Sequence, residues 1–267
     1  MPNSVLLSRS GSRATITLNR VSSHNAFDAE LIAELTEALQ QVAADGSLRC
    51  LVLTGAGNTF SAGADLKWMQ AMASASEHEN FADAQALAHC LRLLNNLPIP
   101  TLARVNGSAY GGGVGLIACC DIAVAVESAK FTLSEVKLGL VPAVISPYVI
   151  AAIGERQARR YFLSAEIFDA AAAKQIGLLH ESVAAEQLDE TLDRILHWLG
   201  KGGKNAQAEA KQLIHSYQPA HTTETMHAQD AKNAALIAKL RVSDEGQQGL
   251  NAFLEKRPAV WVSENEQ

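Results

Sequence analysis

The sequence predicts an α/β fold with buried sheets. Short apolar runs such as Cys50–Thr54 and Thr101–Val105 are typical of buried strands, and segments with helical spacing of apolar residues separate them. The composition, 48% apolar and 19% charged over 267 residues, is that of an ordinary globular protein. A chain of this length can bury a large core, as one domain or as one domain with an appendage.

The predicted elements alternate along the chain. Ala14–Leu18 alternates in polarity as a strand does, and a helix follows from a candidate N-cap at Asp28 to Ala44. After the strand Cys50–Thr54 and an alanine-rich helical stretch, a long helix is predicted over 81–97, where Pro98 ends it. Further strands are predicted at 101–105, 121–126 and 131–133, and further helices at 113–120, 145–153, 157–163, 170–176 and 185–199.

The clearest boundary signal is Gly200–Lys204, a run of glycine and lysine. Beyond it the pattern is helical. We therefore predict a core over residues 1–198 and a C-terminal helical extension over 199–267. So short an extension buries little by itself, so we expect it to pack on the core or on a neighbouring subunit.

Charge, hydropathy and cysteine spacing exclude several classes of function. The net charge is −6 with scattered basic residues, which argues against nucleic acid as a partner. No apolar run reaches the length of about 18 residues that a membrane span needs, and the N-terminal residues lack the apolar region of a signal peptide, so a cytoplasmic location is expected. The cysteines match no metal-binding spacing and are expected in the core of a protein from a reducing compartment; they are Cys50, Cys90, Cys119 and Cys120.

Two glycine-rich turns, Ser61–Lys67 and Asn106–Gly115, are the most informative feature of the chain. Each follows a predicted strand and leads into a helical pattern. Such a turn leaves backbone N–H groups unpaired at the start of the helix. If the two turns face one another, they form a cradle of two donors for a developing oxyanion.

The same glycines have two other interpretations, as a dinucleotide-binding motif or as packing residues. The string Gly113–Ala118 formally matches a dinucleotide-binding fingerprint, and Glu135 lies where a ribose-binding carboxylate would fall. However, at least three strand candidates precede the string, whereas the fingerprint usually follows the first strand. The glycines could also serve only for packing at tight turns.

Motifs spread over the whole chain carry a resemblance. They are Asn25-Ala26-Phe27, Phe60–Lys67, Asn106–Gly113, Cys120–Ala123, Ser134–Pro142 and Phe253–Pro258. With them the sequence resembles the enoyl-CoA hydratase/isomerase (crotonase) superfamily, and its segments Gly111–Cys120 and Ser134–Tyr148 most resemble bacterial methylglutaconyl-CoA hydratases. The resemblance implies a crotonase-like core of repeated ββα turns, with a C-terminal helical extension for oligomerisation into a homotrimer or a hexamer.

The resemblance also implies roles for particular residues. The amides of Ala64 and Gly112 would hold the thioester oxygen of an acyl-CoA, and Glu135 would transfer protons; neither a cofactor nor a metal is implied. Trp68 and Met69 would line the acyl pocket or the core. The implied substrate-binding residues are Ala26, Ala62, Asp65, Leu66, Lys67, Gly111, Gly115 and Lys256.

One departure from the family pattern bears on the reaction. The family's hydratases carry a first catalytic glutamate where this chain has Gly115, so Glu135 would act alone. Gly115 could also clear space for a branched or carboxylated acyl group. The sequence therefore predicts a 2-enoyl-CoA hydratase, with a Δ3,Δ2-enoyl-CoA isomerase as the alternative and a non-catalytic acyl-CoA-binding or RNA-binding assembly protein as a third hypothesis.

Overall fold

The computed structural model describes residues 3–217 and 223–262. Their larger sheet has six strands in the order β1-β2-β3-β5-β7-β10. All neighbouring pairs are parallel except β1 and β2, which are antiparallel. The six strands are β1 (Val5–Ser10), β2 (Arg13–Leu18), β3 (Cys50–Gly55), β5 (Thr101–Val105), β7 (Ile122–Val126) and β10 (Glu181–Val183).

A second, smaller sheet has the order β4-β6-β8-β9. Its strands β4, β6 and β8 are parallel to one another, and β9 is antiparallel to β8. The strands are short: β4 (Thr59–Ser61), β6 (Ser108–Tyr110), β8 (Lys130–Thr132) and β9 (Phe168–Asp169).

The two sheets are built from a repeated unit. A strand of the large sheet is followed by a strand of the small sheet and then by a helix or a 3-10 turn: β3-β4-α2, β5-β6-α4, and β7-β8 followed by the turn Glu135–Leu138. The predicted α/β class with ββα repeats is confirmed. The helices are α1 (Ala29–Ala44), α2 (Leu66–Ser74), α3 (Glu77–Asn95), α4 (Gly112–Cys119), α5 (Ser146–Ser164), α6 (Ala170–Gln175), α7 (Leu188–Gly200), α8 (Lys204–Ser216), α9 (Thr223–Arg241) and α10 (Asp244–Leu254).

The C-terminal helices pack against the rest of the chain to different extents. Ala234 and Ile237 of α9 and Leu250 of α10 belong to the main hydrophobic core. By contrast, α8 has no buried residue, and Lys211 ties it to Asp121 through an ion pair of 2.8 Å. The division at residue 198 stays a prediction, but packing of the extension on its own core is observed.

Several helix ends are set by side-chain caps. Asp28 accepts a hydrogen bond from the Leu31 amide at 2.9 Å, which confirms the predicted N-cap of α1. Helix α3 begins at Glu77, four residues before the predicted start, because Ser76 and Glu79 form a reciprocal capping box. The two helices predicted at 145–153 and 157–163 are the two arms of α5, and Gly154 between them has non-helical backbone angles.

The cysteines lie where the sequence predicts. Cys50, Cys90 and Cys119 are buried, Cys120 is partly buried, and all four are free thiols. Burial raises the pKa of the Cys90 thiol to about 12. These side chains are therefore protonated hydrophobic groups of the core.

Candidate active site

The smaller sheet brings the predicted catalytic segments together. Its parallel strands β4, β6 and β8 are neighbours, and the chain leaves them toward Ala64, Gly112 and Glu135 respectively. Because the carboxyl ends of parallel strands meet at one edge of a sheet, these three segments are adjacent. All three residues line one cavity.

Glycines allow the two glycine-rich turns to touch each other. A Cβ on Gly63 would lie 2.9 Å from the Tyr110 carbonyl oxygen, and one on Gly113 would lie 2.9 Å from the Ser61 Cβ. Both distances are shorter than side-chain carbons tolerate, so a larger residue at either position would force the turns apart. The predicted face-to-face arrangement of the turns is thus built into the backbone contacts.

Local hydrogen bonding leaves the amides of Ala64 and Gly112 available. Ala64 pairs with Phe27 in a parallel bridge, in which Phe27 donates to Gly63 and Asp65 donates to Phe27. The N–H of Ala64 is therefore directed away from this bridge. Gly112 is the first residue of α4, where the amide has no partner within the helix. Within residues 3–217 and 223–262, neither amide donates a hydrogen bond.

Phe27 explains why residue 112 is glycine. A Cβ at this position would lie 2.4 Å from Cε2 of the Phe27 ring, which is itself 2% exposed. In the structure the nearest obstacle to a side chain is the aromatic ring, which forms part of the cavity wall.

Glu135 is enclosed at the start of the 3-10 turn Glu135–Leu138. The residue as a whole is half-buried, but its Oε2 atom is sealed from solvent and has no hydrogen-bond partner in the described structure. Burial raises the pKa of the carboxyl from 4.5 to about 7, opposed only by a hydrogen bond from its own backbone. The side chain can therefore accept and release a proton near neutral pH.

Gly111 brings the glycine-rich turn against this carboxyl. Its φ of 48° is in the region that favours glycine, and a Cβ there would lie 3.1 Å from Glu135 Oε1. The Gly111 amide also donates to the Thr132 carbonyl at 3.0 Å, which joins the turn to the end of β8. The carboxyl and the helix start at Gly112 are thereby fixed relative to each other.

The cavity has a volume of about 250 Å³ and a largely apolar wall. Trp68 and Met69, which the sequence assigned to the pocket or the core, are buried and also line it. The C-terminal helices supply part of the wall as well, through Ile237, Arg241, Leu250 and Phe253.

The prediction that Gly115 enlarges the acyl pocket is wrong. Gly115 is buried within α4 and is not among the cavity-lining residues. A Cβ at this position would lie 2.3 Å from Cγ2 of Ile145, so the Ile145 side chain occupies the space that a side chain at 115 would need. The space beside Gly115 is therefore filled by Ile145 and is not an open volume.

The other predicted binding residues divide into two groups. Ala62 and Gly111 line the cavity. Ala26 is buried away from it, and Leu66, Lys67 and Lys256 are exposed on the surface outside it, so their contact with the coenzyme stays a prediction.

Asp65 stabilises the turn at the start of α2. Its Oδ1 caps α2 by accepting from the Lys67 amide at 2.9 Å, and its Oδ2 pairs with Arg20 Nη2 at 3.2 Å. The turn that presents the Ala64 amide is therefore braced from both sides. This arrangement agrees with a capping function, and a contact of Asp65 with substrate stays a prediction.

Sequence reasoning gave no role to Lys137 and Arg241, which also line the cavity. Lys137 is exposed, and it follows Glu135 by two residues within the motif Ser134–Pro142. Arg241 ends α9, in a stretch without any recognised motif. Only the helical periodicity of α9 was visible in the sequence, and periodicity does not show which residue faces a distant site.

The described residues contain no group of three or more His, Cys, Asp or Glu side chains that could hold a metal ion. Among the same residues, no helix is both long enough and apolar enough to cross a membrane. The string Gly113–Ala118 lies inside α4 and forms no separate turn that could bind a phosphate. This position argues against the dinucleotide-binding interpretation.

Comparison with known proteins agrees with the geometry. The family model described as enoyl-CoA hydratase/isomerase matches residues 8–264. A putative enoyl-CoA hydratase of Thermus thermophilus is 31% identical over 93% of this chain and 96% of its own length. A putative enoyl-CoA hydratase from Mycobacterium avium subspecies paratuberculosis superposes with a TM-score of 0.86 at 32% identity, covering 97% of this chain and 99% of that one.

A second solved structure is more similar in sequence. An enoyl-CoA hydratase from Shewanella pealeana is 41% identical, with a TM-score of 0.79 over 97% of this chain and 96% of that one. The match to the family model covers nearly the whole chain, and the fold and the cavity described above are those expected from the resemblance. The chain belongs to the enoyl-CoA hydratase/isomerase family, within the crotonase superfamily.

Proposed function

We propose that this enzyme catalyses the reversible syn addition of water to a 2-enoyl-CoA thioester. The observation that carries the proposal is the meeting of two unpaired amides, Ala64 and Gly112, with the enclosed carboxyl of Glu135 in one cavity. Enoyl-CoA hydratases among the similar proteins support the same reaction.

The two amides would stabilise the enolate formed from the thioester. When a nucleophile adds to C3 of the enoyl group, negative charge develops on the thioester oxygen. Preformed N–H donors in a water-poor cavity stabilise this charge, and loss of one such donor typically costs about 3–4 kcal/mol of barrier. The N-terminus of α4 at Gly112 adds a favourable dipole.

Glu135 would transfer one proton of the added water, while the other stays on the new hydroxyl group. Its carboxylate takes one proton as the water oxygen bonds to C3, and the resulting carboxylic acid returns that proton to C2 of the enolate. The product is a 3-hydroxyacyl-CoA, and the carboxylate is regenerated. One carboxyl can perform both steps because its pKa of about 7 is close to the working pH.

The acyl group that we propose is a carboxylated one of the 3-methylglutaconyl type, as in leucine degradation. Support comes from the resemblance of the two segments around α4 and Glu135 to methylglutaconyl-CoA hydratases. The family resemblance supports a homotrimer, or a hexamer made of two trimers, and the net charge of −6 supports the proposal that the protein binds no nucleic acid. A cytoplasmic location stays a prediction.

An Δ3,Δ2-enoyl-CoA isomerase is the second candidate, and one observation favours it. Isomerisation needs the oxyanion donors and a single carboxyl that moves a proton between C4 and C2, but no water. Ile145 fills the space beside Gly115, so the described cavity offers no second carboxylate at that position to orient a water molecule.

The experiment supplies 2-enoyl-CoA and 3-enoyl-CoA separately in ¹⁸O-labelled water. A hydratase incorporates ¹⁸O at C3 of the product from the 2-enoyl substrate. Conversion of the 3-enoyl thioester to the 2-enoyl one without labelled product would overturn the hydratase assignment.

Glu135→Gln tests the carboxyl, and Glu209→Gln on the exposed surface of α8 is the matched control. We expect a fall in kcat of about 10²–10⁴-fold for the first variant and none for the second. Undiminished turnover in Glu135→Gln would contradict the proposed role of the carboxyl. Absence of turnover in the wild-type protein, together with tight salt-sensitive binding of RNA, would favour the non-catalytic hypothesis.

A further inference from the structure

Arg241 is the cation least expected in the wall of an acyl cavity. The residues around it in that wall are mainly apolar, among them Trp68, Met72, Ile237 and Leu250. Lys137 also lines the cavity but is exposed to solvent, whereas the side chain of Arg241 is 14% exposed. A guanidinium so placed would be costly to bury unless it has acceptors.

Neighbouring side chains hold Arg241 in one orientation. Its Nη1 donates to Asp83 Oδ2 at 3.0 Å and to Asn80 Oδ1 at 3.2 Å. Its guanidinium carbon lies 5.4 Å from the centre of the Trp68 ring. Asp83 in turn accepts from the Trp68 indole N–H at 3.0 Å.

Asn80 is itself locked, so its oxygen must face the arginine. The Nδ2 group of Asn80 contacts three backbone carbonyls, those of Met72, Ala75 and Ser76, at 3.0 to 3.2 Å. A flipped amide would set its oxygen against those carbonyls. The side chain is fully buried, and it therefore presents a fixed acceptor to Arg241.

Part of the Arg241 guanidinium has no acceptor. Both acceptors bond to the same nitrogen, Nη1, and within the described residues Nε and Nη2 have none. Neither of these nitrogens is among the sealed polar atoms without partners, so both remain accessible. Since the residue lines the cavity, these N–H groups are suited to a planar, doubly accepting anion such as a carboxylate.

Arg241 and Glu135 are held by different elements of the cavity wall. Arg241 is held by α2 and α3, whereas Glu135 lies against the glycine-rich turn at Gly111. In addition, burial raises the pKa of Glu135, and no cation of the described residues contributes to lowering it. A group bound by Arg241 would thus be separate from the reacting thioester.

We propose that Arg241 is a specificity-determining residue that binds a second carboxylate, at the far end of the acyl group. This inference rests on the proposed function, since it names the class of substrate for that site: CoA monothioesters of dicarboxylic 2-enoic acids. The Asp83 carboxylate does not exclude such a ligand, because Arg241 and Trp68 both donate to it already.

The test compares binding of two unreactive saturated thioesters of equal chain length, glutaryl-CoA and pentanoyl-CoA. The wild-type enzyme is expected to bind glutaryl-CoA at least about tenfold more tightly, the effect of one charge-assisted hydrogen bond. Arg241→Met should remove this preference by weakening glutaryl-CoA binding while leaving pentanoyl-CoA binding unchanged.

Arg92→Met is a matched control. Arg92 pairs with Asp230 and also joins α3 to α9, and the exposed fractions, 14% for Arg92 and 11% for Asp230, equal those of Arg241 and Asp83. Arg92 does not line the cavity. Its replacement should leave the ratio of the two affinities unchanged.

Three results would overturn the proposal: no preference for glutaryl-CoA in the wild-type enzyme, equal weakening of both ligands by Arg241→Met, or the same change of ratio in Arg92→Met. If Arg241→Met does not fold, the wild-type ratio and that of Arg241→Lys, expected to be intermediate, decide the question. Hydration of 2-pentenoyl-CoA by the wild-type enzyme tests the proposed reaction separately, so failure of either idea can be recognised without the other.

Discussion

Replacing Glu135 by glutamine should make the protein more stable at neutral and alkaline pH. The Oε2 atom of Glu135 is sealed and lacks a partner, so its ionised form is unfavourable in the folded state. A rise in pKa from 4.5 to about 7 corresponds to about 3 kcal/mol, since each pKa unit represents about 1.4 kcal/mol. Glutamine has a similar shape and cannot ionise.

The sign of the effect follows from the direction of the pKa shift. Below pH 4.5 the carboxyl is protonated in both the folded and the unfolded state, and ionisation does not affect stability. Between pH 4.5 and about 7 only the unfolded state ionises, so the wild-type free energy of unfolding falls as the pH rises. Above about pH 7 the loss is complete and constant.

Urea unfolding at a series of pH values from 4 to 9 measures this difference. Both proteins are held at one concentration, because association of subunits also contributes to stability. The stability of Glu135→Gln relative to wild type should increase by about 3 kcal/mol between pH 4.5 and 7 and then level off. For Glu209→Gln, the difference in unfolding free energy from wild type should not change with pH. The same result for Glu135→Gln would refute the argument that burial raises the pKa of Glu135.

Three further substitutions test the packing of the site. Gly115→Ala should destabilise the protein by about 1–3 kcal/mol, and combination with Ile145→Ala should cost less than the two single changes added together, as thermal unfolding would show. Gly249→Ala should lower both stability and kcat, because its Cβ would lie 2.3 Å from the backbone of the 3-10 turn that begins with Glu135; Gly200→Ala, with open space around it, should change neither. Asp65→Ala should cost about 1 kcal/mol by removing the α2 cap, and Asp65→Asn should restore most of it in the same unfolding assay; equal losses would argue against capping.

The strands that could be predicted have a clear local pattern. β3, β5 and β7 are largely apolar runs, which are typical of central strands, and β2 alternates between buried and partly buried residues. By contrast, β1 has mainly exposed residues, and β4, β6 and β9 have three residues or fewer. Strands of this length are defined by their pairing partners, which a local pattern does not contain.

The residues of the site also differ in whether the local sequence predicts them. The glycine-rich turns are local signals that predict a cradle of backbone donors, and the family resemblance adds the roles of Ala64, Gly112 and Glu135, which stay predictions. That Ile145 fills the space beside Gly115 could not be predicted, because it depends on contact between α4 and the residue preceding α5. The same holds for Arg241, which reaches the cavity only through the packing of α9 on α3.

The C-terminal helices are therefore structural parts of the active site. Backbone atoms of α10 lie directly against the 3-10 turn Glu135–Leu138: a Cβ on Gly139 would be 2.6 Å from the Glu245 carbonyl oxygen, and one on Gly249 would be 2.3 Å from Leu138. Such close packing fixes the turn that begins with Glu135. Because α9 and α10 also close the cavity wall, water is kept from the carboxyl whose pKa depends on burial. Removal of α9 and α10 should then abolish proton transfer near neutral pH even in chains that retain residues 64, 112 and 135, and turnover by a folded chain ending at residue 217 would contradict this dependence.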